Sequence, residues 1–220
     1  MKKTAIILGA TGLTGSILLK KLMNDQRYET IKLFSRKKIE GSPKKVTQYI
    51  GDVLTLQNFK EEFKADEVFC CIGTTAKKTP NKETYKKIDF GIPVTAAKLS
   101  NENNINTFLV ISALGANEKS AVFYNKTKGQ MQQEVLKQNI PNTFILQPSI
   151  INGNRNETRI GEKIGLIIFK LIQPLFIGPL KKYKVIKAEE IAQAMLNLAN
   201  TKTINKNIIT SNYIKEISKK

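Results

Sequence analysis

The sequence is poor in cysteine, short of acid and free of any long uninterrupted apolar run. Its two cysteines, Cys70 and Cys71, stand side by side in "VFCCIG". Neighbours on a strand point to opposite faces, and no CxxC spacing is present, so neither a zinc site nor a disulfide framework is expected. Two buried thiols in a reducing cytoplasm are expected instead. The apolar stretch "IGLIIFKLIQPLFIGPL" at 164–180 is broken by Lys170, Gln173, Pro174 and Pro179. It falls short of the roughly 20 mostly apolar residues that a membrane span takes, so no transmembrane segment is expected. The start, "MKKTAIILGA", imitates a secretory signal, but its apolar part, Ala5 to Leu8, is well below the roughly 7–15 residues such a region takes, and glycines follow. It reads as a strand. Aspartate and glutamate total 18 against 36 lysines and arginines, a formal net charge of +18. That excess invites nucleic acid, anionic lipid or an anionic ligand. The positive residues are scattered, however, as at Lys20–Lys21, Lys44–Lys45, Lys86–Lys87 and Lys181–Lys182. With no sequence-reading module around them they read as a solvated surface, and no specific nucleic-acid partner is expected.

What is present is an alternation of strand and helix patterns running almost to the end of the chain. "TAIILG" reads as a buried strand, "TGSILLKKLMND" as a helix and "TIKLFSR" as a second strand. "QYIGDV" reads as short and extended, "LQNFKEEFK" as helical, and "DEVFCCIGTT" as a strand apolar on both faces from Val68 to Ile72. Helix follows at "PVTAAKLSNENN", strand at "TFLVISA", helix at "YNKTKGQMQQEVLKQN" and strand at "TFILQPSI". Continuous apolar strands between helices imply an α/β fold, a doubly wound parallel sheet covered on both faces. After Pro148 the pattern turns irregular before a helix at "KAEEIAQAMLNLAN" and a last short strand at "KNIITS". No repeat, linker or low-complexity tract divides the 220 residues, 41% of them hydrophobic, so one domain over 1–220 is expected. Residues 149–185 are expected to form a small lobe over the carboxyl ends of the strands, where open α/β sheets bind ligands.

The first strand runs into Gly9-Ala10-Thr11-Gly12-Leu13-Thr14-Gly15, which opens the first helix. Glycine here keeps side chains clear of a pyrophosphate and of the sheet on which the helix packs. The helix N-terminus then offers free N–H groups to the anion. The turn therefore reads as a dinucleotide phosphate loop. The second strand should end in a selector: an acid about 20 positions on holds the 2′-OH of NAD, whereas arginine suits the 2′-phosphate of NADP. Ser35 lies twenty residues beyond Gly15 and is followed by Arg36, Lys37 and Lys38, with no acid among them. A guanidinium can fork onto phosphate and stack on adenine. The expected cofactor is NADP(H), in preference to NAD(H).

With "GATGLTG", "FCCIGTT", "ISALGANEKSAVFYNKTKG" and "LQPSIINGNRNETRIGE" in this order, nearly the whole chain resembles the atypical branch of the short-chain dehydrogenase/reductase superfamily. Within that branch it is most similar to the Tat-interacting tumour-suppressor oxidoreductases and their small bacterial relatives, which implies a Rossmann fold. The resemblance marks Tyr124 and Lys128 as the family's YxxxK pair, and Ser112, twelve residues before Tyr124, as the serine that polarises a substrate carbonyl. Residues four apart share a helix face. An ammonium beside a phenol favours the phenolate, which is expected to draw the tyrosine pKa down from about 10. Tyr124 would then exchange a proton with a substrate oxygen while hydride moves at the nicotinamide. Lys128 would also hold the nicotinamide ribose.

The same resemblance extends the cofactor site. It places Gly9, Thr11, Gly12, Leu13, Thr14 and Gly15 at the phosphates, Ser35, Arg36 and Lys37 at the adenosine ribose, and Asp52 and Val53 at the adenine. Gly73 and Thr74 fall beside a cofactor ribose, and Pro148 and Ser149 beside the nicotinamide. Asp89 stands where many relatives carry an asparagine that organises a proton-relay water, Ala113 where a serine is frequent and Gln147 where an arginine is frequent. Arg155 and Arg159 read as solvated loop charges, with an anionic substrate as the other reading. The implied activity is NADP(H)-dependent oxidoreduction of a small carbonyl or alcohol. Two alternatives stay open: a regulatory or redox-sensing protein that binds NADP(H) and acts through a partner, and a nucleotide-sugar epimerase. An intact Tyr–Lys pair weighs against the first, and the short stretch after Pro148 against the second. Oligomeric state is left open, with a homodimer or a protein partner both compatible.

Overall fold

Strand β1 (Lys3–Leu8) alternates its apolar side chains between two cores, Ala5 and Ile7 entering one and Ile6 and Leu8 the other. That alternation commits the strand to the middle of a covered sheet. A computed structural model describes residues 2–152, 184–201 and 206–220. After β1 come α1 (Leu13–Asn24), β2 (Tyr28–Ser35), β3 (Val46–Ile50), a 3₁₀ turn (Val53–Phe59), β4 (Glu67–Cys70) and α2 (Lys82–Lys86). A π-turn (Lys87–Gly91) leads into α3 (Ile92–Glu102), β5 (Thr107–Ile111), α4 (Phe123–Leu136) and β6 (Asn142–Gln147). The two-residue strands β7 (Ile151–Asn152) and β8 (Ile186–Lys187) pair with each other, and α5 (Ala188–Ala199), β9 (Ile208–Thr210) and α6 (Ser211–Ile217) follow.

The large sheet has the order β3-β2-β1-β4-β5-β6-β9, with every pairing parallel. The expected doubly wound sheet is therefore present. Its order reverses between β1 and β4, which puts the ligand crevice above their carboxyl ends. Leu18 and Leu22 of α1, Met195 of α5 and Ile214 of α6 fill the core on one face. Leu56 of the 3₁₀ turn, Leu99 of α3 and Val135 of α4 fill the other. The adjacent thiols point to opposite cores as expected, but only Cys70 is buried, in the second core, while Cys71 is partly buried against the first. No helix among the described residues is long and apolar enough to cross a membrane. Of the lobe expected at 149–185, residues 153–183 lie outside the described residues, Arg155 and Arg159 among them.

Three local expectations are corrected. "LQNFKEEFK" is not an α-helix: its first part belongs to the 3₁₀ turn, where Thr55 leaves helical geometry (φ −109°, ψ 41°). The helix expected from Pro93 starts much earlier, capped by Asn81, whose Oδ1 accepts the Thr84 N–H at 2.9 Å. It widens at the π-turn, where the Ile92 N–H reaches back five residues to the Lys87 carbonyl. The cause is Pro93, which has no N–H for the Asp89 carbonyl four residues back and whose ring crowds it. The end of the chain adds α6, which packs on α5.

Below the sheet, at the amino ends of the strands, Glu67 is only 2% exposed and is held by Lys3 and by the Tyr28 hydroxyl, which donates at 2.6 Å. Asn200 Nδ2 in turn donates to that hydroxyl at 2.8 Å. Burial outweighs these hydrogen bonds and raises the Glu67 carboxyl above its ordinary value. The folded state thus binds this proton more tightly than the unfolded chain does, and the group's contribution to stability falls as pH rises through that window. Glu67→Ala leaves the Tyr28 hydroxyl without its acceptor and should cost about 1–3 kcal/mol. Urea unfolding should show the loss, and show it larger in mild acid than at neutrality.

Candidate active site

The glycine turn is fixed by backbone contact. Gly9 has φ +84°, and a Cβ there would meet the Cys71 carbonyl at 3.0 Å. At Gly15 a Cβ would fall 2.1 Å from the Gly9 oxygen, so the helix can approach the turn only because that position has no side chain. Gly12 caps α1 without a side-chain hydrogen bond, and its own N–H donates to the Gly9 carbonyl at 2.9 Å. The N–H groups of the first helical turn, at Leu13 and Thr14, are thus left for an anion or water. Thr11 and Gly12 are exposed, whereas Thr14 and Gly15 are buried.

The segment expected to select the cofactor lies one strand away. Ser35 ends β2 opposite Ile50 of β3, and its hydroxyl donates to the Lys37 carbonyl at 2.8 Å. Arg36, Lys37 and Lys38 are exposed. Their loop is anchored by a residue the sequence reading missed. Gln48 of β3 accepts the Ile39 N–H at 2.8 Å and donates to the Ile39 carbonyl at 2.9 Å. Asp52 follows β3 and caps the 3₁₀ turn by accepting the Leu54 N–H at 3.0 Å, with Val53 half-buried beside it.

Across the crevice, α4 carries Tyr124, Lys128 and Gln132 at intervals of four, a stripe along one face. The segment from Ser112 to Val122 is bound tightly to this helix: the Asn117 N–H donates to the Asn125 carbonyl at 3.0 Å, and a Cβ at Gly129 would lie 2.2 Å from Asn117 and Glu118 backbone. Ser112, at the end of β5, is buried, and its Oγ accepts from Gln132 Nε2 at 2.6 Å. Gln147 Nε2 donates to Gln132 Oε1 at 3.1 Å, completing a chain of amides behind the serine. With Gln132 donating to it, the Ser112 hydroxyl still has its own proton to donate. Pro148 accepts the Leu114 N–H at 2.9 Å, and Ser149 donates through Oγ to the Lys184 carbonyl at 2.5 Å.

Lys128 is buried, and its ammonium lies 2.8 Å from Asp89 Oδ1, with side-chain exposures of 4% and 1%. The other Asp89 oxygen accepts the Thr74 N–H at 2.7 Å. Gly73 lies over this pair, with its missing Cβ 3.6 Å from Asp89 Oδ1 and 3.9 Å from Lys128 Nζ. The structure thus brings Gly73, Thr74 and Lys128 together around Asp89. The expected lowering of the Tyr124 pKa is overturned: desolvation first, and the Asp89 charge second, push the phenol up to about 12. The physical reason is lost hydration first, with the Asp89 carboxylate opposing a second negative charge nearby.

Residues 9–165 match a family model described as NAD(P)H-binding. The chain is 32% identical over 203 residues to "Protein FMP52, mitochondrial" of Debaryomyces hansenii, covering 90% of this chain and 88% of that protein. It is 28% identical over 164 residues to "Protein HTATIP2" of Rattus norvegicus, covering 73% and 67%. Among solved structures it resembles the Bordetella bronchiseptica enzyme WbmG in complex with NAD, with a TM-score of 0.71 at 13% identity over 100% of this chain and 77% of that one. UDP-glucose 4-epimerase of Thermotoga maritima, solved with UDP-glucose, gives 0.70 at 15% identity over 98% and 81%. At such identities the structural likeness speaks for the fold alone.

Proposed function

The chain belongs to the NAD(P)H-binding family, and on that premise we propose that it is an NADP(H)-dependent oxidoreductase of the short-chain dehydrogenase/reductase type, acting on a small carbonyl or alcohol. The observation that carries the reading is the convergence of an uncapped helix N-terminus after β1, a side-chain-free position at Gly73 after β4, and the buried Lys128 ammonium beneath it. These residues fit a dinucleotide, because the first offers N–H donors to phosphate and the second leaves room for a ribose over a cation. When bound, the nicotinamide would supply the hydride. Gly9, Gly12 and Gly15 would seat the phosphates, Arg36 and Lys37 the 2′-phosphate, and Asp52 and Val53 the adenine. Pro148 and Ser149 would border the nicotinamide. Ser112 would polarise the substrate oxygen, Tyr124 would exchange a proton with it, and Lys128 would hold the ribose. We further propose one domain over 1–220, with 149–185 as the lobe that meets substrate. The relative in Debaryomyces hansenii carries the word mitochondrial in its name. A cytoplasmic site is the reading offered for this chain, since free thiols suit a reducing compartment.

Titration calorimetry tests the selector. NADPH should bind at least about tenfold more tightly than NADH, a difference of roughly 1.4 kcal/mol. Arg36→Ala should bring the two affinities together by removing the phosphate fork. Equal affinities in the parent protein would overturn the preference for NADP(H).

A further inference from the structure

The stripe on α4 has a third member that the reaction proposed above leaves unused. Gln132, one turn beyond Lys128, is 5% exposed and reaches two strands of the sheet. Its Nε2 donates to Ser112 Oγ at the end of β5, at 2.6 Å, and its Oε1 accepts from Gln147 Nε2 at the end of β6, at 3.1 Å. Ser112 is buried as well, and its hydroxyl gives its proton to no acceptor among the described residues.

We propose that Gln132 is a positioning residue for Ser112: its amide donates to the hydroxyl oxygen and so leaves the serine proton as the donor to a substrate oxygen. This rests on the oxidoreductase reading above, in which Ser112 meets that oxygen. A hydroxyl has one proton and two lone pairs, and a side-chain amide has one oxygen and one NH₂ group. Gln147 engages the oxygen of Gln132, so it is the NH₂ group that faces Ser112. Were the amide turned over, its oxygen would accept the serine proton, and none would remain for a carbonyl. The sense of this chain therefore decides whether Ser112 can polarise a substrate. Burial holds the chain closed, because an amide or hydroxyl left unpaired here is costly. Charged groups on the elements around Gln132 are engaged or exposed. Lys128 pairs with Asp89 of the π-turn, while Lys87 of that turn and Glu118 and Lys119 of the segment before α4 are exposed. On α3, which also packs on α4, Lys98 and Glu102 are exposed and pair with each other.

The first measurement needs neither coenzyme nor substrate, so its outcome is independent of whether the oxidoreductase reading holds. In Ser112→Cys a thiol replaces the hydroxyl, and its thiolate is followed by ultraviolet absorbance. Cys70 and Cys71 are both raised by burial, Cys70 up to about 11, so the new thiol should titrate ahead of them. A hydrogen-bond donor on the sulfur favours the thiolate, and an acceptor disfavours it. Ser112→Cys/Gln132→Met exchanges the amide for an apolar chain of similar length. It should raise the ionisation of the thiol at position 112 by at least about one pH unit. If the amide presents its oxygen instead, the same change lowers it. A lowered or unmoved ionisation overturns the proposal. Where Gln132→Met does not fold, Ser112→Cys/Gln132→Leu is read in the same way.

The second measurement reads the reaction, on any carbonyl that the parent protein reduces. In Gln132→Glu the acid form keeps the pattern, its O–H donating to Ser112 and its carbonyl accepting from Gln147. The carboxylate accepts from both and takes the serine proton. Burial raises such a carboxyl and brings its ionisation toward neutrality. Turnover relative to the parent should therefore be highest in acid and fall about tenfold for each pH unit above that ionisation, with KM for the coenzyme preserved. A role confined to packing would lower turnover by the same factor at every pH, and that result overturns the proposal. If the parent reduces no carbonyl, the oxidoreductase reading fails by itself, and the thiol titration still decides which end of the amide faces position 112.

Discussion

Tyr124→Phe should lower turnover by roughly 10²–10⁴-fold, the range in which a positioned proton donor contributes, and should leave NADPH affinity unchanged. The substitution deletes one oxygen and keeps the ring. The ring's edge-to-face contact with Tyr85 therefore survives, and so does the Lys128–Asp89 ion pair beneath it. Nothing in the glycine turn or the Arg36 loop is touched. The effect should appear in kcat as a loss of proton transfer, with KM for the coenzyme preserved. Coenzyme consumption followed over a panel of aldehydes, ketones and quinones provides the measurement. A variant that works at the parental rate would place the proton donor elsewhere.

Gly15→Ala should abolish measurable coenzyme binding, a loss of at least about 100-fold, and should destabilise the fold by about 1–3 kcal/mol. The new methyl would fall 2.1 Å from the Gly9 oxygen and 2.8 Å from the Gly9 carbonyl carbon, and neither backbone atom has a side chain's freedom to yield. The turn has to open, and the N-terminus of α1 then no longer aims at the crevice. Gly12→Ala makes the contrast, because its nearest contact is 3.2 Å and that side of the residue is exposed. There the fold should lose less, about 0.5–1 kcal/mol for alanine at a helix N-cap, while the methyl intrudes on the phosphate position. Urea unfolding and calorimetry on the two variants separate damage to the scaffold from damage to the seat. Coenzyme binding by Gly15→Ala at parental strength would refute the close-approach account.

What the sequence disclosed was whatever one element decides for itself. The alternation in β1, the stripe of Leu18, Leu19 and Leu22 on α1, and the split of Cys70 from Cys71 each follow from local period, and each appears in the folded chain. The glycine turn was legible because strand, turn and helix are contiguous. Partners contributed by distant segments were not legible. The contact of Lys128 with Asp89, of Ser112 with Gln132 and of Ile39 with Gln48 all depend on how elements pack. The Asp89 carboxylate, which adds to the rise of the Tyr124 phenol, comes from a helical stretch that begins well before the helix expected from Pro93. The lysine-rich "NKETYKK" carries little apolar pattern, and Pro93 imitates a helix start.

The break in winding ahead of α3 gives one residue an influence out of proportion to its contacts. Successive positions on a regular helix are rotated by about 100°, so an α-helix wound without interruption past residue 93 would swing the carboxylate at 89 out of line with its cation. The clocking of that carboxylate is thus stored in a buried imino acid. The chemistry at this centre answers to a backbone phase that no inventory of its neighbouring groups would reveal.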